Sequence, residues 1–190
     1  MFIIKDYYYL YIENTNSINF KNLKKNKKIS IIYRNNRKQE ELYKLIKLKK
    51  NCALKNYKFY VANNASLAAA CKADGLYISS YNKKMYLNKN IIGSAHNFCE
   101  IYEKKKQGCK TIILSRLFKT NYVNKKNYLG VTKFNLIVRK YNLNIVPLGG
   151  INSSNLLKLN LILSNGLALL SEVKKKPAIS NRLFWYLFKT

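Results

Sequence analysis

Eight short runs of apolar, β-branched or aromatic residues alternate with longer helical patterns, and this alternation narrows the possible folds more than any other feature. The runs are Tyr7–Ile12, Ile29–Tyr33, Lys58–Ala62, Gly75–Ile78, Ile91–Gly93, Thr111–Leu114, Asn144–Leu148 and Gly166–Leu170. They are continuous more than alternating, as strands are when both faces are covered in a parallel sheet. Between them the spacing predicts helices from about Lys38 to Leu54 (Leu42, Leu45, Ile46 and Leu48 on one face) and over Ala65–Cys71 behind an Asn64 cap. Further helices are predicted from the Asn97 cap to Gln107 with Gly108 as terminator, from Gly130 to Tyr141, and from Ser154 to Leu161. An open doubly wound sheet is the competing arrangement; the count of eight favours an α/β fold closed as a compact (βα)8 TIM barrel.

The chain has 190 residues, enough for one domain with a real core but short for an eightfold barrel with additions. Its apolar fraction of 48% argues for a folded chain. No linker rich in Pro, Gly or Ser divides it, and residues 1–190 read as a single domain. The tail Ala178–Thr190, with Leu183, Phe184, Trp185, Leu187 and Phe188, reads as an amphipathic C-terminal helix closing the barrel; a membrane-associating tail is the sharper and less favoured reading.

Thirty-six Lys and Arg against eight Asp and Glu give a formal charge of +28. Such a field attracts polyanions, phosphorylated metabolites and nucleic acid among them. The lysines are spread over nearly every polar face, however, as in Lys24–Lys28, Lys104–Lys106 and Lys174–Lys176, whereas a nucleic-acid surface concentrates them. Compositional drift therefore explains the charge better, and nucleic acid is not the expected partner. Cys52, Cys71, Cys99 and Cys109 form no CxxC pair and read as reduced, mostly buried thiols of a cytoplasmic protein. His96 is the only histidine, which argues against zinc. The start, MFIIKDYYYLYI, is broken by Lys5 and Asp6, is too short to span a bilayer and reads as a Tyr-rich first strand.

The candidate site lies at NIVPLGGI, Asn144–Ile151. Gly149 and Gly150 stand between the seventh run and a helical pattern opening Asn152-Ser153-Ser154-Asn155. Two glycines let the backbone approach a ligand, and a helix start supplies free N–H groups for a phosphate. The turn after the eighth run, at Leu170-Ser171, is its natural partner, since barrel phosphate sites lie after the last two strands.

The motifs Ala73-Asp74-Gly75-Leu76-Tyr77, Ile91-Ile92-Gly93-Ser94-Ala95-His96-Asn97, Ser115-Arg116-Leu117-Phe118-Lys119-Thr120, Leu129-Gly130, Leu148-Gly149-Gly150-Ile151 and Gly166-Leu167-Ala168-Leu169-Leu170-Ser171 occur in an order that resembles thiamine-phosphate synthase and its TenI-like relative, the thiazole tautomerase. The resemblance covers about residues 61–173. It implies a βα barrel, thiamine biosynthesis, and a transferase that joins a pyrimidine methyl diphosphate to a thiazole phosphate.

The resemblance implies thiazole-phosphate binding at Gly149, Gly150, Leu170, Ser171 and Thr120. On the diphosphate side it implies Arg34, Asn63 and Ser94, with Ile32 and Asn36 standing where the family carries other polar groups. Two family aspartates that hold magnesium are replaced by Asn63 and Asn82, so Mg2+ as cofactor becomes doubtful, because neutral amides are poor ligands for it. Lys125 or Lys126 stands near the place of a family lysine. Glu13 and Glu172 follow strands and are the remaining acids for the mouth, whereas Asp74 precedes its strand and belongs to the opposite, stability face. Arg34, Arg116, Lys119 and Lys133 form a possible metal-free cation cluster, with Arg116 and Lys119 the loop candidates. A thiazole-phosphate isomerase or degenerate relative is one alternative, with Arg116 where the tautomerase carries its histidine; His96 reads as a packing or capping residue more than as a proton shuttle. A basic nucleic-acid-binding protein is the other.

Overall fold

The computed structural model describes residues 5–20, 23–35, 40–87, 90–120 and 127–169. Eight parallel strands follow one another around a closed barrel: β1 (Tyr7–Ile12), β2 (Ile29–Tyr33), β3 (Lys58–Ala62), β4 (Gly75–Ile78), β5 (Ile91–Ala95), β6 (Thr111–Ser115), β7 (Asn144–Leu148) and β8 (Gly166–Leu169). Closure is made by β8 against β1, from Tyr7↔Gly166 to Leu10↔Leu169. Strands β5 and β6 outrun their apolar sequences because the ladder continues through small and polar residues, with Ser94↔Ile113 and Ala95↔Leu114 in register and Ser115 paired to Leu148 on the other side. The expected end of the eighth strand at Leu170, and the tail helix at 178–190, lie outside the described residues.

Helices α1 (Leu42–Leu54), α2 (Ala65–Ala70), α3 (Phe98–Lys106) and α4 (Gly130–Lys140) cover the barrel. Asn64 and Asn97 cap α2 and α3 as expected, their side-chain oxygens accepting from the N–H groups of Leu67 and Glu100 at 2.9 Å each. Helix α1 begins later than the expected Lys38. The Glu40 carboxylate accepts from the Thr15 N–H (2.9 Å) and hydroxyl (3.3 Å), and Glu41 is extended, so the chain turns helical only at Leu42. The pattern at 154–161 is a 3-10 helix, Ser153–Leu161, and not an α-helix. Its inward residues explain this: Leu156, Leu159 and Ile162 recur every third position, and a three-residue turn stacks such residues on one face.

The barrel lumen is filled by Tyr9, Tyr11, Ile32, Tyr60, Tyr77, Ile92, Ile113, Val146 and Ala168, while a larger apolar shell packs between strands and helices. Four tyrosines on β1, β3 and β4 face smaller residues on β5 to β8, a large-against-small match that closes a narrow barrel. The Tyr60 hydroxyl accepts from Asn90 Nδ2 (3.1 Å), Tyr9 lies against Thr111 and Tyr77 against Ser94.

Between β4 and β5, residues 79–87 form no helix. The fully buried Lys104 and the buried Gln107 brace this segment from α3: Lys104 Nζ donates to Asn82 O (2.7 Å), and Gln107 Nε2 to the carbonyls of Asn82 (3.0 Å) and Lys84 (2.7 Å). These bonds satisfy carbonyls that a helix would have satisfied itself. At the opposite end of the barrel, Asp74 accepts from the Phe59 N–H (2.7 Å) and pairs with Lys49, in keeping with its place on the stability face. Among the described residues no helix is long and apolar enough to cross a membrane. All four cysteines are free, Cys52, Cys71 and Cys109 buried and Cys99 exposed.

Candidate active site

The strands' C-terminal ends carry most of the residues singled out from the sequence. Arg34 follows β2, with its N–H donating to Ile12 O (2.8 Å); Asn63 follows β3; Ser94 belongs to β5; Arg116 to Thr120 follow β6; Gly149 and Gly150 follow β7. Leu170, Ser171, Glu172, Asn36, Lys125 and Lys126 lie outside the described residues.

The corner between β6 and β7 is built by main chain. Beyond the strands the ladder continues, Leu117 N–H donating to Leu148 O (2.9 Å) and Phe118 N–H to Gly149 O (3.0 Å). Leu117 and Phe118 are buried and fix the loop, which leaves Lys119 exposed. Gly149 and Gly150 both have positive φ, at 98° and 72°. A Cβ on Gly150 would stand 2.3 Å from Phe118 O and 2.5 Å from Lys119 O, so this glycine is required by the neighbouring loop. The sequence assigned both glycines to ligand approach; at Gly150 the close approach is made by the chain itself. The N–H groups of Gly150 and Ile151 nevertheless meet no acceptor among the described residues, whereas that of Gly149 faces β8 beside the Leu148↔Ala168 pairing. The following helix start offers fewer donors than expected, because Asn152 N–H donates to Asn155 Oδ1 (2.9 Å) and Ser154 N–H to Asn152 Oδ1 (3.0 Å).

Among the described residues, the buried Arg34 Nε and Thr120 Oγ1 have no hydrogen-bond partner, and Tyr11 OH has none beyond its contact with the Tyr77 hydroxyl. Native proteins rarely bury such atoms unpaired, and a bound molecule is a common reason. Tyr11 and Tyr77 meet edge to face with ring centres 5.4 Å apart. Burial pushes both hydroxyls above their ordinary range, while the Arg34 charge pulls each back. The guanidinium is therefore felt across the top of the lumen, from β1 to β4. Neither tyrosine was singled out from the sequence; the signal available was the alternation in Tyr7–Ile12, which sends Tyr9 and Tyr11 to one side.

Asn63, at φ 56°, and Asn82 come together but bond to each other and their surroundings. Asn63 Oδ1 accepts from Ser79 N–H (2.9 Å) and Asn82 Nδ2 (3.1 Å), and Asn63 Nδ2 donates to Ser79 Oγ (2.7 Å) and Tyr81 OH (3.1 Å). Asn82 Nδ2 also donates to Tyr86 OH (2.9 Å), and Asn82 Oδ1 accepts from Lys84 N–H (2.9 Å). Magnesium needs hard, preferably anionic oxygen with lone pairs to spare. Asn63 Oδ1 has both lone pairs engaged and neither side chain is charged, so this pair does not fit the ion. No group of three or more His, Cys, Asp or Glu residues is placed to hold a metal among the described residues.

The four-cation cluster divides. Arg116 and Lys133 line one cavity of about 570 Å3 with His96, Ser115, Asn127, Tyr128 and Leu129, while Arg34 and Lys119 are not part of its wall. The wall also omits Asn63, Ser94 and Gly149. His96 is tied to Glu100, whose Oε2 lies 2.9 Å from its Nδ1 and accepts its N–H at 2.8 Å, as befits a residue at the entrance to α3.

A closed barrel of eight parallel strands, with its cations, hydroxyls and double-glycine turn after the strands' C-terminal ends, is a (βα)8 protein of the kind that works from that rim. A family model described as thiamine monophosphate synthase matches residues 19–173, and the chain belongs to that family. Among its relatives, thiamine-phosphate synthase of Pelagibacter ubique (strain HTCC1062) is 30% identical over 153 residues, covering 75% of this chain and 74% of the relative. That of Clostridioides difficile (strain 630) is 26% identical over 152 residues, 76% of this chain and 72% of the relative. That of Prochlorococcus marinus subsp. pastoris (strain CCMP1986 / NIES-2087 / MED4) is 30% identical over 125 residues, 62% of this chain. The chain spans about a third of the length of the Prochlorococcus relatives, 36% in that case. Among solved structures, thiamine phosphate pyrophosphorylase from Pyrococcus furiosus superposes with a TM-score of 0.68 at 20% identity, covering 87% of this chain and 86% of that one. The likeness establishes the fold.

Proposed function

We propose that the chain acts as a thiamine-phosphate synthase, joining a pyrimidine methyl diphosphate to a thiazole phosphate. The observation that carries this reading is the β6–β7 corner: two main-chain N–H groups, at Gly150 and Ile151, that no described residue engages, beside a loop carrying the buried Thr120 hydroxyl, which has no partner among the described residues. Uncharged donors of this kind hold a small dianion, and the family relationship supplies thiazole phosphate as the candidate. Leu170 and Ser171 would complete this grip.

The diphosphate end belongs near Arg34 and Ser94. In the reaction the bond from the pyrimidine methylene carbon to the diphosphate oxygen breaks, its electron pair leaving with diphosphate. The thiazole nitrogen then forms the new bond to that carbon. Such a site needs alignment of the two partners and a fixed positive charge where the leaving oxygen gathers its electrons. Arg34, permanently charged and set over the lumen, supplies that charge. The isomerase alternative is not favoured: Arg116 does not shuttle protons near neutral pH, and His96 is engaged by Glu100.

The test is incubation of the purified chain with both phosphorylated halves, with and without magnesium, and detection of thiamine phosphate. Product in the wild type, lost in Arg34→Gln and reduced in Thr120→Val, is the expected result. Tight thiazole-phosphate binding with no product in either buffer would refute synthase activity.

A further inference from the structure

We propose that this chain binds the diphosphate end of its ligand without a divalent cation, Arg34 meeting the charge and the Asn63–Asn82 amide lock standing where a metal would otherwise sit. The inference rests on the synthase reading above and adds how its polyanionic end is held.

The lock is a completed structure. Each amide gives and receives: Asn82 Nδ2 donates to Asn63 Oδ1 (3.1 Å) and to Tyr86 OH (2.9 Å), and Asn63 Nδ2 reaches Ser79 and Tyr81. A cation placed between these residues would face N–H and O–H hydrogens, and would have to break bonds to Ser79, Asn82 or Lys84 to reach an oxygen. The carbonyl of Asn82 is also taken, by Lys104 Nζ (2.7 Å) and Gln107 Nε2 (3.0 Å), which places a basic side chain directly behind the loop. Of the seven carboxylates in the described part of the chain, Glu100 and Glu103 act on Lys104 but are held by His96 with the start of α3 and by Lys83; Glu40 is bound to Thr15, Asp74 to Phe59 and Lys49, Asp6 pairs with Lys28 and Glu41 with Lys44, and Glu13, one residue past β1, is itself engaged.

The positive charge is instead built into β2's exit. Arg34 Nε is buried and has no partner among the described residues, an arrangement whose desolvation is relieved once an anionic oxygen accepts from it. A guanidinium presents its donors as a planar fork, which suits two oxygens of one diphosphate and needs no metal bridge.

Calorimetry of the full chain with inorganic pyrophosphate, in EDTA and in magnesium, tests this together with paramagnetic resonance of added Mn2+. Pyrophosphate should bind in EDTA, with affinity changed less than about threefold by magnesium. Arg34→Gln should weaken it by roughly tenfold or more, the worth of one charge-assisted hydrogen bond, and Arg34→Lys should recover part of the loss. Circular dichroism of the variants separates lost binding from lost fold. Binding only in magnesium overturns the inference and leaves the synthase reading standing. So does pyrophosphate-dependent Mn2+ binding that Asn63→Ala abolishes. Absence of pyrophosphate binding in both buffers overturns the inference too; thiamine phosphate formation in the coupling assay then decides whether the synthase reading falls with it.

Discussion

Gly150→Ala isolates what the β6 loop demands of the β7 turn. The new methyl would lie 2.3 Å from Phe118 O and 2.5 Å from both Lys119 O and Phe118 C, all main-chain atoms that no rotamer change can move aside. The Phe118 carbonyl would have to retreat by roughly 0.7 Å to lengthen a 2.3 Å contact to ~3.0 Å. That displacement pulls on Phe118 N–H···Gly149 O and Leu117 N–H···Leu148 O, the bonds that extend the ladder. Overpacking of this size costs about 1–3 kcal/mol, and an alanine held at φ 72° adds ~1 kcal/mol. Together they give a loss of about 2–4 kcal/mol, or ~5–15 °C in Tm for a chain of this length. Gly108→Ala is the control: its φ is 79°, and nothing lies within 4 Å of the added methyl, so only the ~1 kcal/mol backbone term applies. Urea denaturation of both variants measures the difference directly. Equal stability of Gly150→Ala and Gly108→Ala would refute the reasoning, since it would mean the two loops do not touch as described.

At the barrel's other end, Asp74→Ala should lower stability by about 1–3 kcal/mol, because the Phe59 N–H loses its acceptor, while product formation in the coupling assay stays unchanged below the melting range; a selective loss of turnover would place Asp74 in the wrong half of the barrel. Alkaline pH should unfold the chain. Burial raises Cys52 from 9.0 to about 12, Cys109 from 9.0 to about 11 and Tyr60 from 10.0 to about 12. The unfolded chain therefore loses these protons first, and the stability they contribute, complete below about pH 9, is withdrawn as pH rises through the folded values. Each group removes about 1.4 kcal/mol per pH unit within its window. Lys5 and Lys104, whose pKa values burial lowers, act in the opposite sense but are outnumbered, as Tyr8, Tyr9, Tyr11, Tyr33, Tyr57, Tyr77 and Cys71 are raised too. A urea midpoint that stays flat or rises between pH 9 and 11 would contradict this.

Much of the architecture was legible because it is local. Strand runs such as Tyr7–Ile12 and Asn144–Leu148, and the Asn64 and Asn97 caps, depend on neighbours a few residues away, and each stands where sequence placed it. The late start of α1 was not legible, since it turns on Glu40 reaching Thr15, twenty-five residues distant. The 3-10 helix at Ser153–Leu161 was half legible: its threefold spacing was present, but burial of Leu159 and Ile162 is what selects it.

The site divides along the same line. Residue order alone determined which groups follow which strand, and so which side chains reach the rim at all: Arg34, Asn63, Thr120 and the double glycine could go nowhere else once eight parallel strands closed. It could not say which of them would find partners. That Asn63 and Asn82 bond to each other, that Gly150 is filled by the Phe118 and Lys119 carbonyls, and that Arg34 keeps a buried donor with no partner among the described residues, within electrostatic reach of Tyr11 and Tyr77, are facts about distances between segments far apart in the chain. Periodicity reports the face a residue occupies; only the folded barrel fixes what stands opposite it, and hydrogen bonding and charge compensation are properties of that opposition.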